Sequence, residues 1–196
     1  MAEAFFQATA WTMDTPKPYG AFHLVLTVLG VSLSIFLARK FSFPERKAGP
    51  DTILFLCGLF LGLTELYKQG FIYYIENGRT YDWWYFPFQL CSVPMYLGLF
   101  IPMVPARIRN VFYLFIQDFG LLGGIMALAE PSGLMHPYWT MTVHGFLWHF
   151  NLIFMGLICA FYNLKTETPK SYLHTIPLFL FCTAIATAVN VLSHPY

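Results

Sequence analysis

Six stretches of about twenty mostly apolar residues, 21–38, 52–74, 84–104, 108–129, 138–162 and 172–192, dominate this 196-residue chain. A helix of about 20 apolar residues is what crosses the hydrocarbon core of a bilayer. Lipid offers no partner to a backbone amide, so runs of this length can span only as helices. The alternation of apolar and polar residues that marks a membrane β-barrel is absent. Only 11% of the residues are charged, against about 25% in an average soluble domain, which leaves too few to cover a surface against water. The predicted fold is all-α, a polytopic transmembrane bundle of six helices in a multi-pass protein of the cell membrane.

The connections between the runs are short and no internal repeat is visible, so residues 1–196 read as a single six-span domain. Residues 1–19 lack the basic start and apolar core of a cleaved leader, which leaves the first span as the membrane signal. Within them, 4–13 carries Phe5, Phe6 and Trp11 and predicts a short amphipathic helix at the outer interface. Orientation follows from the basic residues. Arg39, Lys40, Arg46, Lys47, Arg107, Arg109, Lys165 and Lys170 fall in the first, third and fifth connections, while the other side has Lys17 and Arg79. Eight against two predicts both ends outside, N-out and C-out, with residues 1–19 extracytoplasmic. Trp83, Trp84, Tyr85 and Tyr138 then lie at outer headgroup depth.

The net charge of +1 and the scattered basic residues give no nucleic-acid footprint. Cys57, Cys91, Cys159 and Cys182 sit inside apolar runs without metal-ligand spacing, so neither a disulfide framework nor a metal site is expected, and no cofactor motif is present.

Ionisable residues within a span cost about 2.5 to 3.5 kcal/mol each on insertion scales, so each calls for a reason. Here they are Glu65 and Lys68 in the second run, Asp118 in the fourth, and His144 and His149 in the fifth, joined by the uncharged Gln89, Ser92, Asn151 and Asn190. Helical phase puts Gly58, Gly62, Glu65 and Lys68 on one stripe, and Thr140, His144 and Asn151 on another. Gln89, Ser92 and Tyr96 share a face of the third run, which Pro94 should kink. His149 lies about 140° round from His144 and is expected to look elsewhere. Each polar residue also has a bland reading: Glu65 with Lys68 as a neutralised pair, and Gln89, Asn151 and Asn190 as interhelical hydrogen bonds.

The third run opens Trp84-Tyr85-Phe86-Pro87-Phe88-Gln89-Leu90-Cys91. With Asp118-Phe119-Gly120, the Glu130-Pro131 turn and His144-Gly145-Phe146, it resembles the YwaF-like family of integral membrane proteins, over roughly residues 84–161. The equivalent helix of that family opens with Leu-Pro-Leu-His-Leu-Cys. The resemblance extends to eukaryotic acyltransferases acting on ether phospholipids, whose motif here is Asn-Pro-Cys-His with the cysteine as acyl carrier and a later histidine assisting. It implies that His144 matches that histidine. Phe88 and Gln89 stand where the motif has cysteine and histidine, and Cys91 follows one turn on.

Two classes of function remain open. An enzyme of lipid acyl transfer or hydrolysis would use His144 as base, Asp118 to orient it and Cys91 as nucleophile, or a hydroxyl such as Ser92. Glu65, Lys68, Gln89, Ser92 and Asn151 would form the binding surface. The alternative is a carrier or binding subunit for a small polar solute, with Glu65, Lys68, Asp118 and His144 lining a cavity near the midplane. Membrane lipids are the expected partners in either case, with homo-oligomers open and nucleic acid not expected.

Overall fold

The computed structural model describes residues 2–42, 50–163, 168 and 170–193. Arg46, Lys47 and Lys165, used above to orient the chain, lie outside the described residues. Among the described residues eight α-helices follow one another: α1 (Ala2–Thr9), α2 (Ala21–Ser42), α3 (Pro50–Phe71), α4 (Val93–Phe100), α5 (Ala106–Phe115), α6 (Leu121–Ala129), α7 (Trp139–Asn163) and α8 (Ile176–Ser193). A π-helical turn, Ile72–Glu76, extends α3, and another, Ile116–Gly120, joins α5 to α6 into one rod. Among the described residues five helices are long and apolar enough to cross a membrane: Ala21–Ser42, Pro50–Glu76, Ala106–Ala129, Trp139–Tyr162 and Ser171–Ser193.

The sixth, expected over 84–104, is only half helical. Its helix covers Val93–Met103, while 86–92 is irregular after a single 3-10 turn at Trp83–Tyr85. Two prolines explain the break. Phe86, immediately before Pro87, is held extended at φ −56°, ψ 126°. Pro94 has no N–H to give and its ring would clash with the carbonyl four residues back, so it sits in the first turn of α4 and begins the helix rather than kinking it. The backbone still travels from one end of the bundle to the other between Glu76 and Ala106, because Arg109 pairs with Asp51 at the start of α3.

Irregular backbone at this depth leaves carbonyls without helical partners, and side chains from three directions supply them. Gln69 donates to the Tyr85 carbonyl at 2.6 Å, Tyr96 to Pro87 at 2.8 Å and Trp148 to Cys91 at 3.2 Å. These residues are separated by up to 79 positions in the chain, so the loop's shape is set by tertiary contacts.

Helix α7 is the axis of the bundle. Over half of its spanning window is buried, against 11% for the window ending in α8, which lies at the periphery. It runs antiparallel to α3, with the Asn151 amide donating to the Cys57 carbonyl at 3.3 Å and Phe71 packed edge-on against Tyr138 at the other end. Against α6, Gly124 meets Ile153 and the His149 carbonyl, and Gly156 meets Leu121. Below the break, α4 packs on α3 backbone to backbone: a Cβ on Gly58 would lie 2.8 Å from the Leu99 nitrogen, and one on Gly98 2.7 Å from the Leu54 carbonyl. The outer faces carry Leu29, Phe36, Leu63, Leu66, Phe181 and Leu192, all more than half exposed, as suits a lipid-facing surface.

The amphipathic segment expected over 4–13 is helical over Ala2–Thr9 and is packed on the protein. Phe6 stacks on Tyr74 and fills the space beside Gly70, and Tyr67 donates a 2.6 Å hydrogen bond to Thr9. The strand-like stretch after it pairs with the start of α7 through Met13 N–H to Pro137 and Trp139 N–H to Trp11.

Candidate functional site

Where α4 stops short, the bundle encloses a cavity of about 260 Å³. Its walls are Lys68 of α3 and Ile72 of the π-helical turn that extends it, residues 84–87 with Gln89, Cys91 and Ser92 of the irregular segment, Gly133 and Leu134 of the 3-10 turn Pro131–Leu134, His136, and the N-terminal part of α7. The break therefore creates the room and also furnishes three of the polar groups. Glu130 shapes the opposite wall by accepting from the Ser132 hydroxyl and amide, which holds its carboxyl below the ordinary carboxylate range.

From α7 the lining residues are Met141, His144, Gly145, Trp148 and His149. This i, i+3, i+4, i+7, i+8 pattern spans an arc of roughly 140°, with His144 at one rim and His149 at the other. The expectation that His149 looks elsewhere is corrected accordingly. The two imidazoles do diverge, but the α7 wall of the cavity, with Met141, Gly145 and Trp148 between them, is as wide as their divergence.

The hydrogen bonds fix much of the chemistry. His149 Nδ1 lies 2.7 Å from the Gly145 carbonyl, which can only accept, so Nδ1 carries a hydrogen, and in the neutral ring the lone pair is on Nε2. His144 Nε2 is buried without a hydrogen-bond partner, and its ring lies against Trp148 with centroids 5.6 Å apart. Lys68 pairs with Glu65 at 2.8 Å and lies 5.9 Å from the centre of the Trp148 ring. Glu65, 4% exposed, stands behind Lys68 and is not part of the cavity wall; its second oxygen accepts from Gln69 at 2.7 Å. The Cys91 thiol points to the Gln89 amide oxygen at 3.8 Å. His136 lies 4.0 Å from Glu76. Among the described residues no cluster of three or more His, Cys, Asp or Glu side chains is placed to hold a metal ion.

Of the residues singled out in the sequence, Lys68, Gln89, Cys91, Ser92 and His144 thus meet at one cavity, with Glu65 one contact behind. Asn151 does not join them. It reaches the Cys57 carbonyl and lines a separate apolar groove of about 460 Å³ between α2, α3 and α7. Asp118 lies in the π-helical turn beside Gln117. The packing of Gly120 on Leu152 and of Gly124 on His149 and Ile153 sets it near the level of Phe154. That is roughly ten residues, or about 15 Å, along α7 from His144, so the pairing of Asp118 with His144 is replaced by a different neighbourhood: Lys68, His149 and His136 are the charged or titratable groups facing His144.

Sequence reasoning missed His136, His149 and the aromatic wall of 84–86. The i, i+3, i+4, i+7, i+8 pattern from Met141 to His149 was the available signal for His149. His136 lies outside the helices and is placed by Thr142, whose hydroxyl donates to its carbonyl and accepts from its amide. His23, by contrast, is a staple. It accepts from the Tyr19 amide and faces the Leu128 carbonyl at 3.1 Å, away from the cavity.

No curated protein and no solved structure matches this chain significantly. A model of the TMEM164 family matches residues 18–194, which takes in every helix from α2 to α8 and every residue of the cavity wall. With its long apolar helices, the chain is therefore an integral membrane protein and a member of the TMEM164 family, a family of membrane proteins.

Proposed function

We propose that this protein transfers or hydrolyses lipid acyl groups in the cavity at the broken third crossing. The observation that carries the reading is that one cavity of about 260 Å³ is lined by a thiol, Cys91, and by two imidazoles, His144 and His149, whose Nε2 atoms have no protein partner. A thiol beside a base is the arrangement of covalent acyl transfer. The Cys91 sulfur attacks the ester carbonyl, a C–S bond forms as the C–O bond breaks, and an imidazole passes the thiol proton to the departing alkoxide. Water or a second alcohol then attacks the thioester, giving up its proton through the same imidazole and restoring the thiol. The Gln89 amide and the Lys68 ammonium are positioned to stabilise the oxyanion of each step. The YwaF-like and acyltransferase resemblance of the third run belongs to this reading.

The orientation proposed is N-out and C-out. In support, Arg39 and Lys40 close α2, and Arg107 and Arg109 lie in the first turn of α5, where Arg109 pairs with Asp51 at the start of α3; by the positive-inside rule this end, away from the cavity, is the inner one. A carrier would need a path through the inner half, where the Gly58–Gly98 contact closes α3 on α4.

The test is purified protein given phospholipid with an isotopically labelled acyl chain, followed by mass spectrometry of lipid products and of the Cys91 peptide. A labelled acyl adduct on Cys91 and loss of turnover in His144→Ala are expected. Full turnover in both Cys91→Ala and His144→Ala would overturn the assignment.

A further inference from the structure

A second hollow lies on another face of α7, where α2 and α3 both pack on that helix but scarcely touch each other. The gap between them is the groove of about 460 Å³ whose wall includes Asn151. The polar donors of its floor are occupied within the protein. The Ser34 hydroxyl is shared between the carbonyls of Gly30 and Phe150, at 2.8 and 3.1 Å, and the Asn151 amide donates to Cys57. What fills the groove therefore meets hydrocarbon, and the exposed rims Leu33, Leu56, Phe60 and Leu147 open it sideways to the bilayer. A neighbouring helix is a poor fit, since helices in lipid approach through small residues. The rims are large, and the Phe150 ring already fills the space at Gly30. A single flexible chain suits the shape: at about 30 Å³ for a unit the size of a water, the volume holds roughly fifteen such units.

The groove also has a direction. Along α2 its wall runs from Gly30 to Phe41, about 16 Å at 1.5 Å per residue. That is roughly half of a hydrocarbon core about 30 Å thick, the depth of one leaflet. Residues 33, 37 and 40 stand four and three apart, so the stripe that forms the wall at Leu33 and Leu37 ends in Lys40. Lys40 and its neighbour Arg39 are exposed and pair with no carboxylate among the described residues. Asp51, at the start of α3, is already held by Arg109 and Tyr113. We infer that this groove retains one acyl chain of an anionic phospholipid, whose phosphate pairs with Lys40 while Arg39, at the same level, adds to the positive field. In the orientation proposed above this end faces the cytoplasmic leaflet, where anionic lipids collect and each basic side chain adds to their binding. The site is separate from the cavity at the broken crossing, and it stands or falls independently of acyl transfer there.

The experiment uses the full chain in detergent with equal amounts of dioleoyl phosphatidylglycerol and dioleoyl phosphatidylcholine, and native mass spectrometry counts the lipid retained. A parallel sample carries phosphatidylglycerol with a photoreactive group at the end of one acyl chain. The anionic lipid should be retained about tenfold over the zwitterionic one, and the label should fall on the peptides of Leu56, Phe60 and Leu147 in preference to the exposed face of α8. Lys40→Gln should lower the preference about fivefold, and Arg39→Gln with Lys40→Gln should abolish it. Both positions are exposed, so the fold is expected to survive. Leu33→Trp, which puts a ring into the groove from its exposed rim, should reduce retention and labelling of both lipids together. Equal retention of the two lipids by the wild type, a preference unchanged in the double glutamine variant, or label spread evenly over α8 would overturn the inference, as would undiminished retention in Leu33→Trp. Displacement of the labelled chain by cholesterol with no effect of headgroup charge would assign the groove to a sterol and overturn it as well.

Discussion

The two halves of the space between α3 and the segment 77–103 are built from the same two lengths of chain and behave in opposite ways. In the half nearer Asp51, Gly58 and Gly98 bring two helices to backbone contact. In the half nearer Glu76 the prolines prevent a helix, the backbone wanders, and the cavity opens with Lys68, Gln89 and Cys91 on its wall. The ion pairs at the two ends repeat the contrast. At the start of α3 one oxygen of Asp51 accepts from Arg109 and the other from Tyr113, tying α3 to α5. Toward the other end of α3 Glu65 also has both oxygens occupied, but its cation lines a cavity. A pair that only staples helices and a pair that presents a charge differ in what lies beyond the cation.

The sharpest way to break the comparison is to remove one cation from each pair. Lys68→Met leaves a carboxylate that is 4% exposed without its partner, and the loss expected for a broken buried pair is about 3 kcal/mol or more, read as a lowered unfolding midpoint in detergent. Arg109→Met acts on side chains about one-third exposed, where screening by solvent limits the loss to about 1 kcal/mol. Equal losses would mean that the two pairs do the same work. Next in size is Gly98→Ala, whose new methyl meets the Leu54 carbonyl at 2.7 Å and has only backbone to push against; overpacking of this kind costs about 1 to 3 kcal/mol. Gly133→Ala, on the cavity side with nothing within 4 Å, should leave the midpoint unchanged.

How much of this could be read from the chain differs by region for the same physical reason. The five long helices follow from apolar length alone, because a bilayer imposes a single solution on such runs. The third crossing does not, although Pro87 and Pro94 stand seven residues apart within it, since apolar composition cannot distinguish a helix from a loop that the protein itself buries. Helical phase therefore had no meaning at Gln89 and Ser92, which nonetheless reached the cavity along the irregular backbone together with Cys91. On α7 the phase was right and the inference from it was not, because the width of a cavity is a property of its neighbours. The depth shared by Asp118 and His144 failed through register: glycines at 120, 124 and 156 fix α6 against α7, and no feature local to Asp118 reports that offset.

The support of the loop is the next point of leverage. Tyr96→Phe removes the hydroxyl that donates to the Pro87 carbonyl at 2.8 Å and leaves that carbonyl without its partner, at a cost of about 1 kcal/mol. It should lower the unfolding midpoint modestly while making Cys91 more accessible to a thiol reagent, since the loop that carries both residues loosens. A lowered midpoint with unchanged labelling would mean that Tyr96 supports α4 alone.

The smallest effect expected is at the Glu130 turn, outside the spans. The Ser132 hydroxyl, and then its amide, hold the Glu130 carboxyl below its ordinary range. A carboxylate with a depressed folded pKa stabilises the fold above its unfolded pKa, and that contribution fades as pH falls through the folded value. Ser132→Ala removes the larger of the two contacts. The unfolding midpoints of the wild type and Ser132→Ala should therefore differ slightly at neutral pH and converge as pH falls through the lowered Glu130 value. A difference that persisted or grew in acid would show that Ser132 acts on the cavity wall through Gly133 and Leu134 rather than through the charge of Glu130.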